Sequence, residues 1–365
     1  MGVTLQAGFL ASCVVFGPMA MAGWHLTRNR VLFFSGSLFI VLAVSVHIFP
    51  YFPVLNFNPP ALPETQATTQ VPFMNDTLRE YCASNLHKVE FTIPIKYQYE
   101  ASKEGEIWNQ TDWDHWDWSW EHEPLHQCKY QKLDREEALQ LLQGTWIVIA
   151  GDSQARLLFV ALLELLLPSI DDVRPQLFKR HSNFEYSLES HHILMEFVWA
   201  PYTVNLTRLA FSYRENQKTP DILVSGVGLW HMLHNGNHTQ YGSSLLKLKQ
   251  ALTSLLWHPD SSDQTLTPQL FWMNLPTLSP TLYQSELKIE RMTTQKLKLY
   301  TMELLKSEIT GSRGLTTLLD IQLLSDQCGL RCTQDGIHYS QAIYRAALHV
   351  MVNNLLIVTK QTPIT

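Results

Sequence analysis

The chain contains 365 residues, carries a formal net charge of −6 and is 45% hydrophobic. This length allows one large or two ordinary domains, and the hydrophobic fraction allows a sizeable core. The mildly acidic balance, without a run of basic residues, argues against nucleic acid as a partner.

The N-terminal residues 1–51 are predicted to anchor the chain in a membrane. Residues 31–49 form an apolar stretch of 19 residues without Asp, Glu, Lys or Arg, long enough to cross a bilayer. Residues 3–26 are a weaker second candidate. Arg28 and Arg30 lie between the two stretches, and the positive-inside rule places such a loop in the cytosol. Whether one or both stretches span, the main domain then faces the lumen of the secretory pathway. The alternatives are a cleaved signal peptide and a buried helical hairpin.

A Pro/Thr-rich stalk is predicted at residues 52–80, followed by a lumenal domain at residues 81–365. A lumenal location agrees with the Asn-x-Ser/Thr sequons, which are predicted glycosylation sites at Asn75, Asn109, Asn205 and Asn237. Four of the five cysteines lie beyond the apolar stretches: Cys82, Cys128, Cys328 and Cys332. They are compatible with two disulfides in any of three connectivities, and a zinc site is less favoured because the chain has no CxxC pair.

Tryptophans are concentrated at residues 107–120, IWNQTDWDHWDWSW. Their rings are suited to stacking on sugars, with the interleaved aspartates bonding to sugar hydroxyls. Trp118 and Trp120 are instead expected to pack on the domain as a lid. The nearby Asp and His residues lack a clean ligand spacing, so no metal is expected. The chain also has no phosphate-cradling Gly loop for coenzyme A, and no cofactor is expected.

Apolar runs alternate with helical patterns in the rest of the chain. Strands are predicted at residues 146–150, 193–199, 222–225, 270–274 and 316–321, and helices at residues 154–167, 243–257, 285–309 and 340–358. This order predicts an α/β domain with a mostly parallel sheet and helices on both faces. Sites in such sheets form at the carboxyl ends of the strands. The candidates are therefore the residues that follow strands or precede the last helix: Gly151, Asp152, Ser153, Gly226, Gly228, Trp230, His231, Asn274, Asp335 and His338.

Ser153 is the candidate nucleophile among these residues. A serine hydroxyl becomes reactive when a base takes its proton, and an acid orients that base. The spacing of Asp335 and His338 fits the acid and the base, and the amides of Ser153, Gly226 and Gly228 are candidates for an oxyanion hole. Each piece also has an ordinary alternative: a strand-to-helix turn at Ser153, a helix cap at Asp335 and a structural role for His338.

The joint order of these motifs resembles the SGNH/GDSL hydrolase superfamily, and more closely its plant trichome-birefringence-like and PC-esterase group of polysaccharide O-acetyltransferases. The resemblance covers roughly residues 80–350 and rests on the following residues: Trp118-Ser119-Trp120, Pro124, Cys128, Leu133, Leu141, Leu142, Gly144, Gly151-Asp152-Ser153, Arg156, Gly228-Leu229-Trp230-His231, Leu319-Asp320-Ile321 and the Asp335/His338 pair. The chain departs from the group in its DGIHYS sequence at residues 335–340, in lacking the Asn block of simple GDSL esterases, and in a reduced set of N-terminal cysteines.

The resemblance implies a three-layer αβα domain and a Golgi-type polysaccharide O-acetyltransferase. Ser153 would carry the acetyl group, with His338 as base and then acid, and Asp335 orienting it. Arg156, Trp230 and Asn274 are the expected substrate-binding residues, although Arg156 is also compatible with a solvated position on its helix. A membrane partner is a candidate source of the acetyl donor. The rival interpretations are a lumenal acetyl-esterase with the same residues and a catalytically inactive carbohydrate-binding scaffold.

Overall fold

The computed structural model describes residues 76–92, 116–120, 128–256, 267–311 and 314–359. The chain divides into two compact units, Met1–Gln70 and Val71–Thr365, and the described residues all belong to the second unit. The predicted membrane segments, the sequons at Asn75 and Asn109 and most of the tryptophan-rich stretch therefore lie outside the described residues. Inside those ranges, no helix is both long enough and apolar enough to cross a membrane.

The centre of the described domain is a six-stranded sheet. Its strands in chain order are β3 (Trp146–Gly151), β4 (Phe184–Leu188), β5 (Ile193–Trp199), β6 (Ile222–Gly226), β7 (Gln269–Met273) and β8 (Thr317–Leu319), while β1 (Glu90–Thr92) and β2 (Asp117–Ser119) form a separate antiparallel pair. The spatial order is β4-β5-β3-β6-β7-β8, and β4 runs antiparallel to β5. The other neighbouring strands are parallel, with β3 between β5 and β6. The order of the sheet therefore reverses at β3, and such a switch point is where ligands bind in open α/β sheets.

Strand β3 shows why the domain has three layers. Successive side chains of a strand point to opposite faces, so a strand buried on both faces must be apolar throughout. Ile147 and Ile149 enter one hydrophobic cluster and Val148 and Ala150 enter the other, and all four are fully buried. The apolar run of β3 thus contributes side chains to both hydrophobic clusters.

Helices supply the outer layers of the domain. In chain order they are α1 (Asp76–Asn85), α2 (Arg135–Leu141), α3 (Ser153–Leu166), α4 (Arg174–Leu177), α5 (Thr203–Glu215), α6 (Leu229–His234), α7 (His238–Leu256), α8 (Glu286–Arg291), α9 (Thr294–Ser307), α10 (Ile321–Cys328) and α11 (Gln341–Thr359). The apolar faces of α3 and α11 pack in the cluster on one side of the sheet, and those of α5, α7 and α9 pack in the other cluster. The predicted αβα architecture is confirmed for this domain.

The predicted strands are present in the predicted order, but several boundaries differ. The single helix predicted at residues 285–309 is wrong: α8 ends before Met292, and the Thr293 side chain caps α9 by accepting a hydrogen bond from the Lys296 amide at 3.2 Å. The last strand ends early because Asp320 caps α10, accepting from the Leu323 amide at 3.0 Å. Helix α1 (Asp76–Asn85) includes residues 76–80, the last five of the range predicted as stalk.

The cysteines form the disulfides Cys82–Cys128 and Cys328–Cys332. The structure thereby selects one of the three possible connectivities, and the zinc alternative is wrong. The first disulfide ties α1 to the segment before α2. The expected packing of the lid tryptophans is also confirmed, because the Trp118 ring is buried and lies 4.9 Å from the ring of Trp120 and 5.0 Å from that of His349 on α11.

Candidate active site

The corner between β3 and α3 presents Ser153 at the switch point of the sheet. The Asp152 side chain caps α3 by accepting a hydrogen bond from the Gln154 amide at 3.0 Å, which fixes where the helix begins. Gly151 is required for close packing, since a Cβ there would overlap the carbonyl oxygen of Gly226 on β6. These local constraints place Ser153 at the first residue of the helix, beside the carboxyl end of the strand.

The loop before α11 holds Asp335 and His338 in a fixed relation. One carboxylate oxygen of Asp335 accepts hydrogen bonds from the backbone amides of Ile337 (2.9 Å) and His338 (2.7 Å). Gly336 has a φ of +74°, and a Cβ there would overlap the carbonyl oxygen of Ser279, so the turn requires glycine. The loop is therefore folded around the carboxylate.

A continuous hydrogen-bonded chain joins the three predicted residues. The second carboxylate oxygen of Asp335 lies 2.7 Å from Nδ1 of His338, and Nε2 of His338 lies 2.8 Å from Oγ of Ser153. If Nδ1 donates its proton to Asp335, Nε2 is left with a lone pair that accepts the serine hydroxyl proton. The arrangement is that of a nucleophile, a base and the acid that orients the base. The alternative of an ordinary turn at Ser153 does not account for it.

The electrostatics of Asp335 fit the role of a permanently charged acid. Partial desolvation would raise the pKa of Asp335, but the hydrogen bonds and charge interaction with His338, together with the Ile337 amide, hold that pKa well below its usual range. The carboxylate thus remains ionised at neutral pH, which suits it to stabilise a positive charge on His338. Asp152 differs, because complete burial raises its pKa to about 6 and one of its oxygens has no hydrogen-bond partner.

The predicted oxyanion donors are placed differently from one another. Ser153 is the first residue of α3, where backbone amides point outward along the helix dipole. Gly228 precedes α6 with a φ of +152°, a conformation that favours glycine. Gly226 is the last residue of β6, opposite Gly151 and tightly packed against Met273 of β7. Gly226 therefore has a packing role, while the amides of Gly226 and Gly228 both stay predicted oxyanion donors.

A cleft of about 350 Å³ opens beside Ser153 and His338. Its other lining residues are Arg156, Phe178, Arg180, His181, Trp199, Leu229, Trp230, Leu233, Lys288, Met292 and Ile337. The His181 ring stacks on Trp199 at 4.7 Å, and Trp230 meets Trp199 edge-on at 5.5 Å. The structure thus places Arg156 and Trp230 in the same cleft as Ser153, next to an aromatic wall, and their role in substrate binding stays a prediction.

Asn274 lies outside the cleft beside Ser153. Its side-chain amide donates to Asp320 at 2.7 Å, and its carbonyl accepts from the Gln322 amide at 3.0 Å, so it holds the end of β7 to the start of α10. Asn274 borders a separate small cavity and does not line the Ser153 cleft. The prediction that it binds substrate is therefore corrected to a structural role.

Arg156 is buried, with 8% of its surface exposed, so the alternative of a solvated position is wrong. Its guanidinium carbon lies 5.0 Å from the ring centres of both Phe197 and Trp199. Burial lowers the pKa of Arg156. Its Nε and one of its terminal nitrogens are buried without a hydrogen-bond partner.

Several cleft residues were not predicted. Trp199 is the last residue of β5, so the rule that sites follow strand ends would have found it. Phe178, Arg180 and His181 belong to the connection between α4 and β4, which contains no motif. Lys288 reaches the cleft from α8. Nothing in the sequence around these four residues signals a site.

The domain has three αβα layers, a mostly parallel sheet, and a hydrogen-bonded serine, histidine and aspartate at the switch point of that sheet. These features define an SGNH/GDSL-like enzyme of the acyl-transfer or ester-hydrolysis class. The chain is 38% identical over 372 residues to Protein ALTERED XYLOGLUCAN 9 of Arabidopsis thaliana, covering 98% of this chain and 99% of that protein. The chain belongs to the same trichome-birefringence-like family.

The chain is also similar, more distantly, to another curated protein and to solved structures. The chain is 22% identical over 236 residues to N-acetylneuraminate (7)9-O-acetyltransferase of Danio rerio, across 62% of this chain but 28% of that protein. Among solved structures, a carbohydrate acetylesterase family member from Sinorhizobium meliloti is 14% identical, with a TM-score of 0.37, and covers 59% of this chain and 99% of its own. TesA is 15% identical, with a TM-score of 0.35, and covers 58% of this chain and 98% of its own. No protein-family model matches the chain.

Proposed function

We propose that the protein transfers an acetyl group through Ser153 to a hydroxyl group of a polysaccharide. The observation that carries this proposal is the hydrogen-bonded chain from Ser153 through His338 to Asp335, which ends in an open cleft. Membership of the family of Protein ALTERED XYLOGLUCAN 9 and the distant similarity to a sugar O-acetyltransferase support acetyl transfer to a carbohydrate.

The first half of the proposed reaction loads the serine. Oγ of Ser153 attacks the carbonyl carbon of the acetyl donor while Nε2 of His338 takes the hydroxyl proton. The amide of Ser153, with that of Gly228, holds the oxyanion that forms. The oxyanion then collapses, the bond to the leaving group breaks, and the leaving group receives the proton from His338. Acetyl-Ser153 and a neutral imidazole remain.

The second half repeats these steps with a sugar hydroxyl as the nucleophile. The hydroxyl gives its proton to Nε2 of His338 and attacks the acetyl carbonyl carbon. Collapse of the second oxyanion breaks the bond to Oγ of Ser153, which regains the proton from His338. Asp335 stays ionised throughout, in agreement with its lowered pKa, and stabilises the imidazolium in both halves.

The aromatic wall of the cleft suits a sugar acceptor. Trp199 and Trp230 present broad apolar surfaces, and sugar rings have apolar C–H faces that pack on such surfaces. A ring held against this wall would present its hydroxyls toward Ser153.

A hydrolytic reaction is the second candidate function. Water in place of the sugar hydroxyl would release acetate by the same steps. The side chains of His338 and Asp335 are 38% and 43% exposed, so solvent reaches the base. An inactive scaffold is not favoured, because a binding protein has no need for the aligned hydrogen bonds of Ser153, His338 and Asp335.

The mechanism is tested by trapping the acetyl group. The full-length protein is incubated with an activated acetyl ester and analysed by peptide mass spectrometry, with Ser153→Ala and the exposed Ser243→Ala as variants. Acetyl is expected on the Ser153 peptide of wild type and of Ser243→Ala, and Ser153→Ala should lose on the order of 10³-fold or more in turnover. Adding oligosaccharides separates the two functions, since transfer yields an acetylated sugar and hydrolysis yields acetate. Near-normal turnover of Ser153→Ala on the same ester would refute the mechanism.

Residues 31–49 and the sequons support a further part of the proposal, that the domain lies in the Golgi lumen on a membrane anchor. Asn237 is exposed, which suits glycosylation. Endoglycosidase should therefore lower the apparent mass of the expressed protein, and Asn237→Gln should reduce that shift. An unchanged mass in both samples would contradict a lumenal domain.

A further inference from the structure

We propose that the cleft beside Ser153 binds an oxyanion, a carboxylate or a phosphate group carried by the acetyl donor or by the acceptor. The binding surface is a cationic wall formed by Arg156, Arg180 and Lys288. The inference rests on the proposed function in one respect, namely that donor and acceptor both enter this cleft.

The charges that line the cleft all have one sign. Arg156, Arg180 and Lys288 line it, and none of its lining residues is an aspartate or a glutamate. Among the described residues, no ion pair joins any of these three cations to a carboxylate. Cations that converge on a concave surface without counter-charges attract anions to that surface. A ligand made only of neutral sugars would leave this charge unmatched.

Arg156 carries the strongest evidence for an anionic ligand. Its side chain is more than nine-tenths buried on the wall of the cleft, yet Nε and one terminal nitrogen have no hydrogen-bond acceptor. Burying a charged donor without an acceptor is costly. The rings of Phe197 and Trp199 offset part of that cost by cation–π contacts, but they satisfy no N–H group in a hydrogen bond. A bound oxyanion would supply acceptors in the geometry that guanidinium prefers.

The positive field extends across the cleft to His181. Desolvation lowers the pKa of His181, and the charges of Arg180 and Arg156 lower it further. His181 stacks on Trp199, whose other neighbours include the Arg156 guanidinium. The aromatic wall and the cationic wall therefore share residues, and one ligand can contact both.

Two ligand chemistries satisfy this surface. A phosphate group would come from an acetyl donor such as acetyl phosphate or a nucleotide-linked thioester. A carboxylate would come from an acidic sugar, such as a uronic acid unit of the acceptor. Because Arg156 is a flat donor with several N–H groups, it pairs with either group through two parallel hydrogen bonds.

The test measures binding in the absence of turnover. Full-length Ser153→Ala protein is titrated with inorganic phosphate, acetyl phosphate, an oligogalacturonide and a neutral oligosaccharide of equal length, and tryptophan fluorescence reports the change around Trp199 and Trp230. Arg180→Gln combined with Lys288→Gln should weaken binding of at least one anionic probe by ~10-fold or more. The matched control is Lys298→Gln, an exposed lysine outside the cleft, which should bind as the parent does.

The pattern across probes identifies the source of the anion. Loss confined to the phosphate probes assigns the cationic wall to the donor, and loss confined to the oligogalacturonide assigns it to the acceptor. Affinity should also fall with added salt for the anionic probes more than for the neutral one. Arg156→Lys should retain more affinity for the anion than Arg156→Gln, since it keeps the charge.

Several results would overturn the inference. These are equal affinity for charged and neutral oligosaccharides with no bound phosphate, an equal loss in Lys298→Gln, or equal losses in Arg156→Lys and Arg156→Gln. The last result would make Arg156 a support for the Trp199 ring. Because these measurements use the Ser153→Ala protein and need no acetyl transfer, they stand even if the proposed mechanism fails in the trapping experiment.

Discussion

The substitution Asp335→Asn isolates what the carboxylate contributes to the reaction. Asparagine keeps one oxygen, which can still accept the amides of Ile337 and His338, so the loop should keep its shape. The other oxygen, now 2.7 Å from Nδ1 of His338, becomes an NH₂ group. Two donors cannot share that contact, and Nδ1 must therefore become the acceptor. The imidazole proton then sits on Nε2, which faces Ser153 and can no longer take its proton.

The structure sets the expected size of the loss of activity in Asp335→Asn. The substitution removes the charge that stabilises the imidazolium and also favours the wrong tautomer, and in serine hydrolases of this arrangement the same change costs on the order of 10⁴-fold in turnover. Because the side chains of His338 and Asp335 are 38% and 43% exposed, solvent screens part of the charge effect. We therefore expect ~10³-fold in kcat/KM, equivalent to about 4 kcal/mol of transition-state stabilisation.

The assay compares kcat/KM on an acetyl ester with thermal unfolding for three variants. Asp335→Asn should lose activity with little change in melting temperature, and Asp335→Ala should lose both, because it also removes the acceptor of two backbone amides. The exposed Asp172→Asn is the control and should match wild type in both measurements. Activity of Asp335→Asn within tenfold of wild type would refute the tautomer argument.

Three other predictions follow from particular contacts. Burial raises the pKa of Asp152 to about 6, so the folded chain loses stability as the pH rises from about 4 to 6. Asp152→Asn should therefore raise the free energy of unfolding by up to about 3 kcal/mol at pH 7.5 and have no effect near pH 4. A gain independent of pH in urea titrations would contradict this cause. Replacing Cys82 and Cys128 with alanine opens a loop of 46 residues and should lower the free energy of unfolding by about 4 kcal/mol in the same assay. A loss below about 1 kcal/mol would argue against the pairing. Gly336→Ala places a Cβ against the Ser279 carbonyl at a φ of +74°, so it should reduce both melting temperature and turnover, and normal turnover would show that the loop tolerates movement.

The residues of the hydrogen-bonded chain were predictable because each is fixed by local sequence. A short apolar run, a glycine and a helix N-cap determine where Ser153 sits, and the spacing of Asp335 and His338 closes their loop. The rule that parallel strands end at a common edge places Ser153. Asp335 and His338 follow α10 and not a strand, so their pairing with Ser153 was predicted from the joint order of the motifs and its resemblance to the SGNH/GDSL superfamily. The same rule failed for Asn274, because it fixes the edge of the sheet but not the direction in which a side chain turns.

Elements whose stability depends on tertiary contacts were harder to predict. Strand β4, with the sequence FEYSL, alternates between half-buried and exposed residues, and its pairing with β5 comes from position and not from a distinctive pattern. The break between α8 and α9 depends on one capping threonine inside a continuous helical pattern. The pairing of Cys82 with Cys128 depends on the folded position of α1, which no spacing rule supplies.

The reacting residues and the cleft wall are therefore encoded in different parts of the chain. Ser153 and His338 lie in motifs at strand and helix ends, whereas Arg180 and His181 come from an irregular connection and Lys288 from α8. Substitutions in that connection should leave the hydrogen bonds around His338 intact, since none of these bonds involves residues 178–181. Changes there should thus alter which donor or acceptor is used, while the acyl chemistry proposed for Ser153 should be retained. A chain with the same GDS and DxxH motifs but a neutral wall would perform the same reaction on a different ligand.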